Sequence, residues 1–161
     1  MILKELKFFN SKRVFSIVMN TMNENKKFFG DITQIPMMRK WVIELLEKSK
    51  VREGIIEDIK VALSEALANI FNHAYKDEVV KPVKITLMVD NEKAIITLRD
   101  FGRKFDLSKY IPPDLDKASN GGYGVYMIRK LMDGVQYFPQ EIGTELLMWK
   151  SLTNNILVEK E

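Results

Sequence analysis

The stretch Ser64-Glu65-Ala66-Leu67-Ala68-Asn69-Ile70-Phe71-Asn72-His73 carries two signals at once. Ile55, Ile59, Leu63, Ala66 and Ile70 recur at three- and four-residue steps, the mark of one buried helical stripe running from about Gly54 to Ala74. Glu65, Asn69 and His73 stand four residues apart and project from the same side of that helix. Polar groups at this step, on a helix whose other stripe is apolar, face either solvent or a cleft. A carboxylate followed one turn later by a carboxamide suits a hard cation with oxygen ligands, and the carboxylate can orient an attacking group. Taken alone, the spacing fits a solvated helix face more often.

Upstream, Pro36 opens an amphipathic helix through about Lys48, with Met37, Trp41, Ile43, Leu45 and Leu46 supplying most of its apolar surface. Phe28-Phe29-Gly30-Asp31 reads as a short strand and a turn, and the Asn-rich stretch from Asn20 to Asn25 reads as a turn or loop. Before it, Phe8-Phe9 and Val14 to Met19 suggest a small strand pair or a short helix. Downstream, Val83 to Val89 and Ala94 to Leu98 are strands joined by the polar turn Asp90-Asn91-Glu92-Lys93. The non-periodic stretch from Phe101 to Gly122 is too long for a simple connection and reads as a mobile loop. A helix from Tyr123 to Met132 and strands at Val135 to Phe138 and Thr144 to Trp149 complete the order. These elements predict an α+β fold, a two-layer sandwich of helices on one face of a mixed, mostly antiparallel sheet. One domain over residues 27–151 is expected, with an extension at 1–26 and a tail at 152–161.

Composition narrows the function classes. Lys+Arg number 25 and Asp+Glu 22, evenly spread, so no clustered basic stripe marks a nucleic-acid surface. The chain has no cysteine, which removes disulfides, thiolate nucleophiles and cysteine-ligated metals and agrees with a reducing cytoplasm. No apolar run approaches the ~20 residues that cross a bilayer, and charges interrupt the apolar residues of the N-terminus. A cytoplasmic protein without membrane or nucleic-acid partners is expected.

Three further motifs carry chemistry. Asp100-Phe101-Gly102 falls where a strand ends and the long loop begins. A carboxylate there can accept from an exocyclic amine such as adenine N6, and the glycine lets a flat ring approach the backbone; the same letters are also an ordinary turn signature. In Asn120-Gly121-Gly122-Tyr123-Gly124, glycines at a helix entry free backbone N–H groups to meet an anion, or simply make a hinge. Gly143-Thr144 starts the last strand, where a hydroxyl could reach the same pocket or merely follow a turn.

The order of these four signals resembles the N box, the two glycine boxes and the final threonine of the GHKL ATPase superfamily. Ser64-Glu65-Ala66 through Asn69, His73-Ala74-Tyr75, Asp100-Phe101-Gly102 with Phe105-Asp106, Pro113-Asp114-Leu115, and Gly121-Gly122-Tyr123-Gly124 through Leu131-Met132-Asp133 resemble its anti-sigma-factor serine-kinase branch. The resemblance covers roughly residues 27 to 150 and implies the Bergerat ATP-binding fold. It implies ATP and Mg²⁺ as cofactors, Asn69 as the Mg²⁺ ligand, and Glu65 as the catalytic residue that orients or deprotonates the attacking hydroxyl. Asp100 would bind adenine N6, with Gly102 under the ring and Thr144 supporting through a water, while Gly121, Gly122 and Gly124 let the loop close over the phosphates. Catalysis would then be positioning plus charge neutralisation.

The implied activity is phosphorylation of a serine on a STAS-type anti-anti-sigma partner in a bacterial partner-switching pathway, with room left for a sigma factor and a homodimer. The competing reading is a nucleotide-binding module of the same fold that holds a partner without useful turnover. A histidine-kinase catalytic domain is disfavoured, since the single histidine lies inside the N box. One departure from the pattern is Lys104, which stands where the fuller first glycine box has a second glycine. His73 fits the pattern but is left out of the active set.

Overall fold

The computed structural model describes residues 21–75, 80–114 and 122–153. The strand or helix expected between Phe8 and Met19, Gly121, and nearly all of the tail lie outside those residues. Five strands form one sheet in the order β1-β2-β3-β5-β4, with β1 Met22–Phe29, β2 Pro82–Val89, β3 Lys93–Asp100, β4 Gly134–Pro139 and β5 Thr144–Ser151. All four pairings are antiparallel, the limiting case of the mostly antiparallel sheet that the sequence predicts. Among the described residues three α-helices accompany the sheet: α1 Ile35–Lys48, α2 Glu53–Asn69 and α3 Tyr123–Leu131. No helix among the described residues is long and apolar enough to cross a membrane.

Strand periodicity decides which face meets the helices. On β2, Val83, Ile85, Leu87 and Val89 are buried; on β3, Ala94, Ile96 and Leu98; on β5, Leu146 and Met148. The stripe Ile55, Ile59, Leu63, Ala66 and Ile70 is buried against them as expected, and α2 packs on both α1 and α3. On α1 the buried residues are Ile35, Met38, Val42 and Leu46. This corrects the stripe read from the sequence: Met37 is exposed, while Trp41, Ile43 and Leu45 flank the core. The helix begins at Ile35, one residue before Pro36, and the three- and four-residue steps from Ile35 through Met38, Val42 and Leu46 mark its buried face.

A second correction concerns the Asn-rich stretch. Asn23, Glu24 and Asn25 belong to β1, paired with Met88, Leu87 and Thr86, because a full ladder of backbone bonds to β2 outweighs the low strand propensity of asparagine. β1 is an edge strand whose side chains are mostly exposed, where polar residues discourage further pairing. Its inward Phe28 meets the Trp41 ring edge-on at 5.7 Å.

Candidate active site

The alternation that builds the core breaks at one end of the sheet. Asp100 and Thr144 take the next inward positions on β3 and β5, where an apolar residue would continue the pattern. Among the described residues they are the buried polar side chains, at 4% and 3% exposure. Burial pushes the Asp100 carboxyl above its ordinary range, against hydrogen bonds from the Gly102 and Thr144 backbone and the nearby Arg99 charge. Asp100 Oδ1 accepts from Gly102 N at 3.0 Å, and Thr144 Oγ1 accepts from Phe105 N at 2.8 Å.

The end of α2 closes over this floor. After Asn69 the helix widens into a π turn, Ile70–Ala74, in which Tyr75 N donates to Ile70 O at 3.2 Å; such wide turns favour functional sites. Ala74 O accepts from Arg103 N at 2.9 Å. A Cβ at Gly102 would lie 2.3 Å from that same carbonyl, so Gly102 is a glycine because the helix end presses on it. Ala74 occupies the side of Gly102 on which a Cβ would stand. Tyr75, almost wholly buried, accepts from Phe101 N and donates to Pro82 O, both at 2.6 Å.

A cleft of about 410 Å³ opens above Asp100 and Thr144, its inner walls formed by Ala66, Ile70, Ala74 and Leu146, with Asn69 and His73 at its edge. A second lobe of about 270 Å³ adjoins it, lined by Gly122, Gly124 and Val125 and again by Asn69 and His73. Gly122, at φ +84°, precedes the first turn of α3, a conformation cheap only for glycine. A Cβ on Gly124 would lie 3.0 Å from Glu65 Oε2 and 3.3 Å from Asn69 Oδ1. The absent side chain is what lets α3 sit against the polar edge of α2. The structure therefore brings Asn69, Asp100 and Thr144 to one lobe and Asn69, Gly122 and Gly124 to the other. Glu65 touches the group behind Gly124 and lines neither lobe.

The connection after β3 is pinned over its first part, contrary to a loop mobile along its whole length. Gly102, Arg103 and Phe105 each donate a backbone bond to a neighbouring element or turn. The Phe105 ring stacks on Tyr137 at 4.5 Å, and burial lifts the Tyr137 hydroxyl to about 12. Asp106 caps the short helix Leu107–Lys109, and the Ser108 hydroxyl holds its carboxyl below the usual range. Tyr75, Phe105 and Gly143 have a place in the sequence motifs but no role there as supports of the cleft, and Tyr137 leaves no trace in them. The rings of Tyr75, Phe105 and Tyr137 act through partners distant in sequence.

A two-layer α+β sandwich with a polar-floored cleft running to a glycine-rich helix start defines a nucleotide-binding class of protein. The sequence profile of the histidine kinase-like ATPase domain matches residues 28–150, and the chain belongs to that family. The serine-protein kinase RsbW of Oceanobacillus iheyensis is 36% identical, with the match covering 59% of this chain and 65% of that protein, just under two thirds of its length. The protein of the same name from Listeria monocytogenes is 31% identical over 65% of this chain and 71% of its own. A solved structure of the RsbU and RsbW domains of a Mycobacterium tuberculosis protein superimposes with a TM-score of 0.60. It covers 81% of this chain and 33% of that one at 16% identity, a likeness of fold alone.

Proposed function

We propose that the two-lobed cleft binds Mg-ATP and that the protein is an anti-sigma-factor kinase acting on a serine of a STAS-type anti-anti-sigma partner. One observation carries the reading: Asp100 and Thr144 floor an apolar lobe while Asn69 links it to a second lobe at the α3 N-terminus. The base would fill the first lobe, its exocyclic amine donating to Asp100. The phosphates would lie in the second, where the unpaired N–H groups of the first turn of α3 favour an anion. The relatives named serine-protein kinase support the phosphoryl acceptor.

The donor set fits Mg²⁺. Asn69 offers a carboxamide oxygen at the seam of the lobes, and no group of three or more His, Cys, Asp or Glu that could hold a metal occurs among the described residues. A cation held by Asn69, phosphate oxygens and water suits an ion that keeps much of its hydration. Bound there, it would neutralise phosphate charge. Glu65, one helical turn before Asn69 and beside Gly124, would orient the acceptor hydroxyl and take its proton.

A nucleotide-holding module without turnover is the competing reading, and the place of Glu65 outside both lobe linings favours it. Incubation with labelled ATP and a STAS-domain protein encoded nearby separates the two. Glu65→Ala should keep ATP binding and lose on the order of 10²–10⁴-fold in transfer rate. An unchanged rate removes Glu65 from the chemistry.

A further inference from the structure

Arg99 lies on β3 with its side chain on the outer face of the sheet, opposite Glu145 on β5. A guanidinium there would ordinarily meet solvent or that carboxylate. Instead it turns along the strand to the sheet end and donates to three backbone carbonyls: Asp100 O, Ile142 O at 2.6 Å and Thr144 O at 3.4 Å. The Phe101 ring covers it at 4.4 Å, and Lys27 flanks the same ring on β1.

These carbonyls crowd because Gly143 brings the chain tightly past β3. Gly143 has φ +74°, and a Cβ on it would stand 2.2 Å from Asp100 O. Convergent carbonyl dipoles repel unless a donor sits between them. The planar guanidinium, with five N–H groups in a fixed fork, can satisfy several at once where a lysine ammonium cannot match the geometry. The carbonyls belong to Asp100 and Thr144 themselves and to the turn between Pro139 and Thr144.

We infer that Arg99 is a positioning residue for the nucleotide base: from the far face of the sheet it sets the distance between Asp100 and Thr144. The inference rests on the nucleotide reading of the cleft. It assigns Arg99 no contact with ligand, so its effect should appear only in recognition of the group that Asp100 meets.

The test compares the full chain with Arg99→Gln by calorimetric titration with Mg-ATP and with the magnesium complex of purine riboside triphosphate. The second ligand keeps the phosphates and ring but lacks the exocyclic amine. Loss of a charged donor from the turn should weaken ATP about tenfold or more, leave the second ligand nearly unchanged, and so erase the preference for ATP. A parallel loss for both ligands would show a general structural lesion and overturn the positioning role, as would unchanged binding of both. If Arg99→Gln does not fold, Arg99→Lys poses the same question, and an ATP preference equal to wild type overturns the inference. Wild-type protein that binds neither ligand instead removes the nucleotide reading itself, a result distinct from any of these.

Discussion

Asp100 holds a carboxyl where the alternation of β3 calls for an apolar side chain. Burial, the largest cause, raises its carboxyl above the ordinary aspartate value of 3.8. A carboxyl so raised contributes stability below 3.8 and loses that contribution as pH rises through the folded-state value. At neutral pH the ionised group therefore costs stability. Asp100→Asn keeps an oxygen for Gly102 N and removes the buried charge. Thermal melts should show the variant more stable than wild type at pH 7, with the advantage shrinking as pH falls. The same change should weaken ATP by about 1–3 kcal/mol, because a charge-assisted hydrogen bond is lost. Tight ATP binding by the variant would refute the base-side assignment. Asn69 makes the complementary prediction. Asn69→Ala should abolish the enhancement of ATP binding by Mg²⁺, measured as the ratio of affinities with and without the metal.

Among the elements, the start of α3 is the most exacting. Gly122→Val forces a β-branched residue into a left-handed conformation, at a cost of roughly 1–2 kcal/mol, and brings its Cβ within 3.0 Å of Ile111 O. ATP affinity should fall while the far-ultraviolet spectrum stays that of a folded domain. Hydrogen exchange should show Mg-ATP protecting the amides of the first turn of α3. The amides of Gly102, Arg103 and Phe105 already have partners and should change little. Equal protection along the whole connection would count against this division.

The same elements show what a sequence can and cannot reveal. The stripe on α2, the β2–β3 hairpin and the polar positions Asn69, Asp100 and Thr144 are legible because periodicity and local motifs record them. β1 between Met22 and Asn25 is not, because its strand state comes from β2, some sixty positions away in the chain. On α1 apolar residues occur on more than one face, so packing decides which of them are buried. The roles of Tyr75 and Arg99 cannot be read locally, since Phe101 N and Ile142 O, which they bind, lie far from them in sequence and meet them only in the folded sheet.

At the scale of the whole molecule, a few long contacts tie the two layers together. Lys150 on β5 reaches under the helices to Asp58 Oδ2 on α2 at 2.8 Å and to Leu131 O at the end of α3 at 2.5 Å. The Lys150 side chain is 17% exposed while that of Asp58 is 38% exposed, so water still screens the carboxylate side of the pair. Lys150→Met keeps the stem but removes the donor to a helix-end carbonyl and to a carboxylate that water can still reach, which should cost about 0.5–1.5 kcal/mol in urea unfolding. A loss below a few tenths would mean that water replaces the donor freely.

The interrupted alternation on β3 and β5 has a consequence for life at changing energy supply. Asp100 and Thr144 leave the end of the core layer unfinished, with Ala66, Ile70 and Leu146 lining the cleft beside them. A purine ring seated there would act as the missing core side chain, borrowed from solution. Occupancy and folding then become linked: ligand at a hundredfold above its dissociation constant adds about 2.7 kcal/mol. The melting temperature should climb steadily with ATP concentration, and more steeply than with free triphosphate. If the cleft takes ATP as proposed, a fall in its concentration would raise the unfolded fraction of this protein by the same linkage.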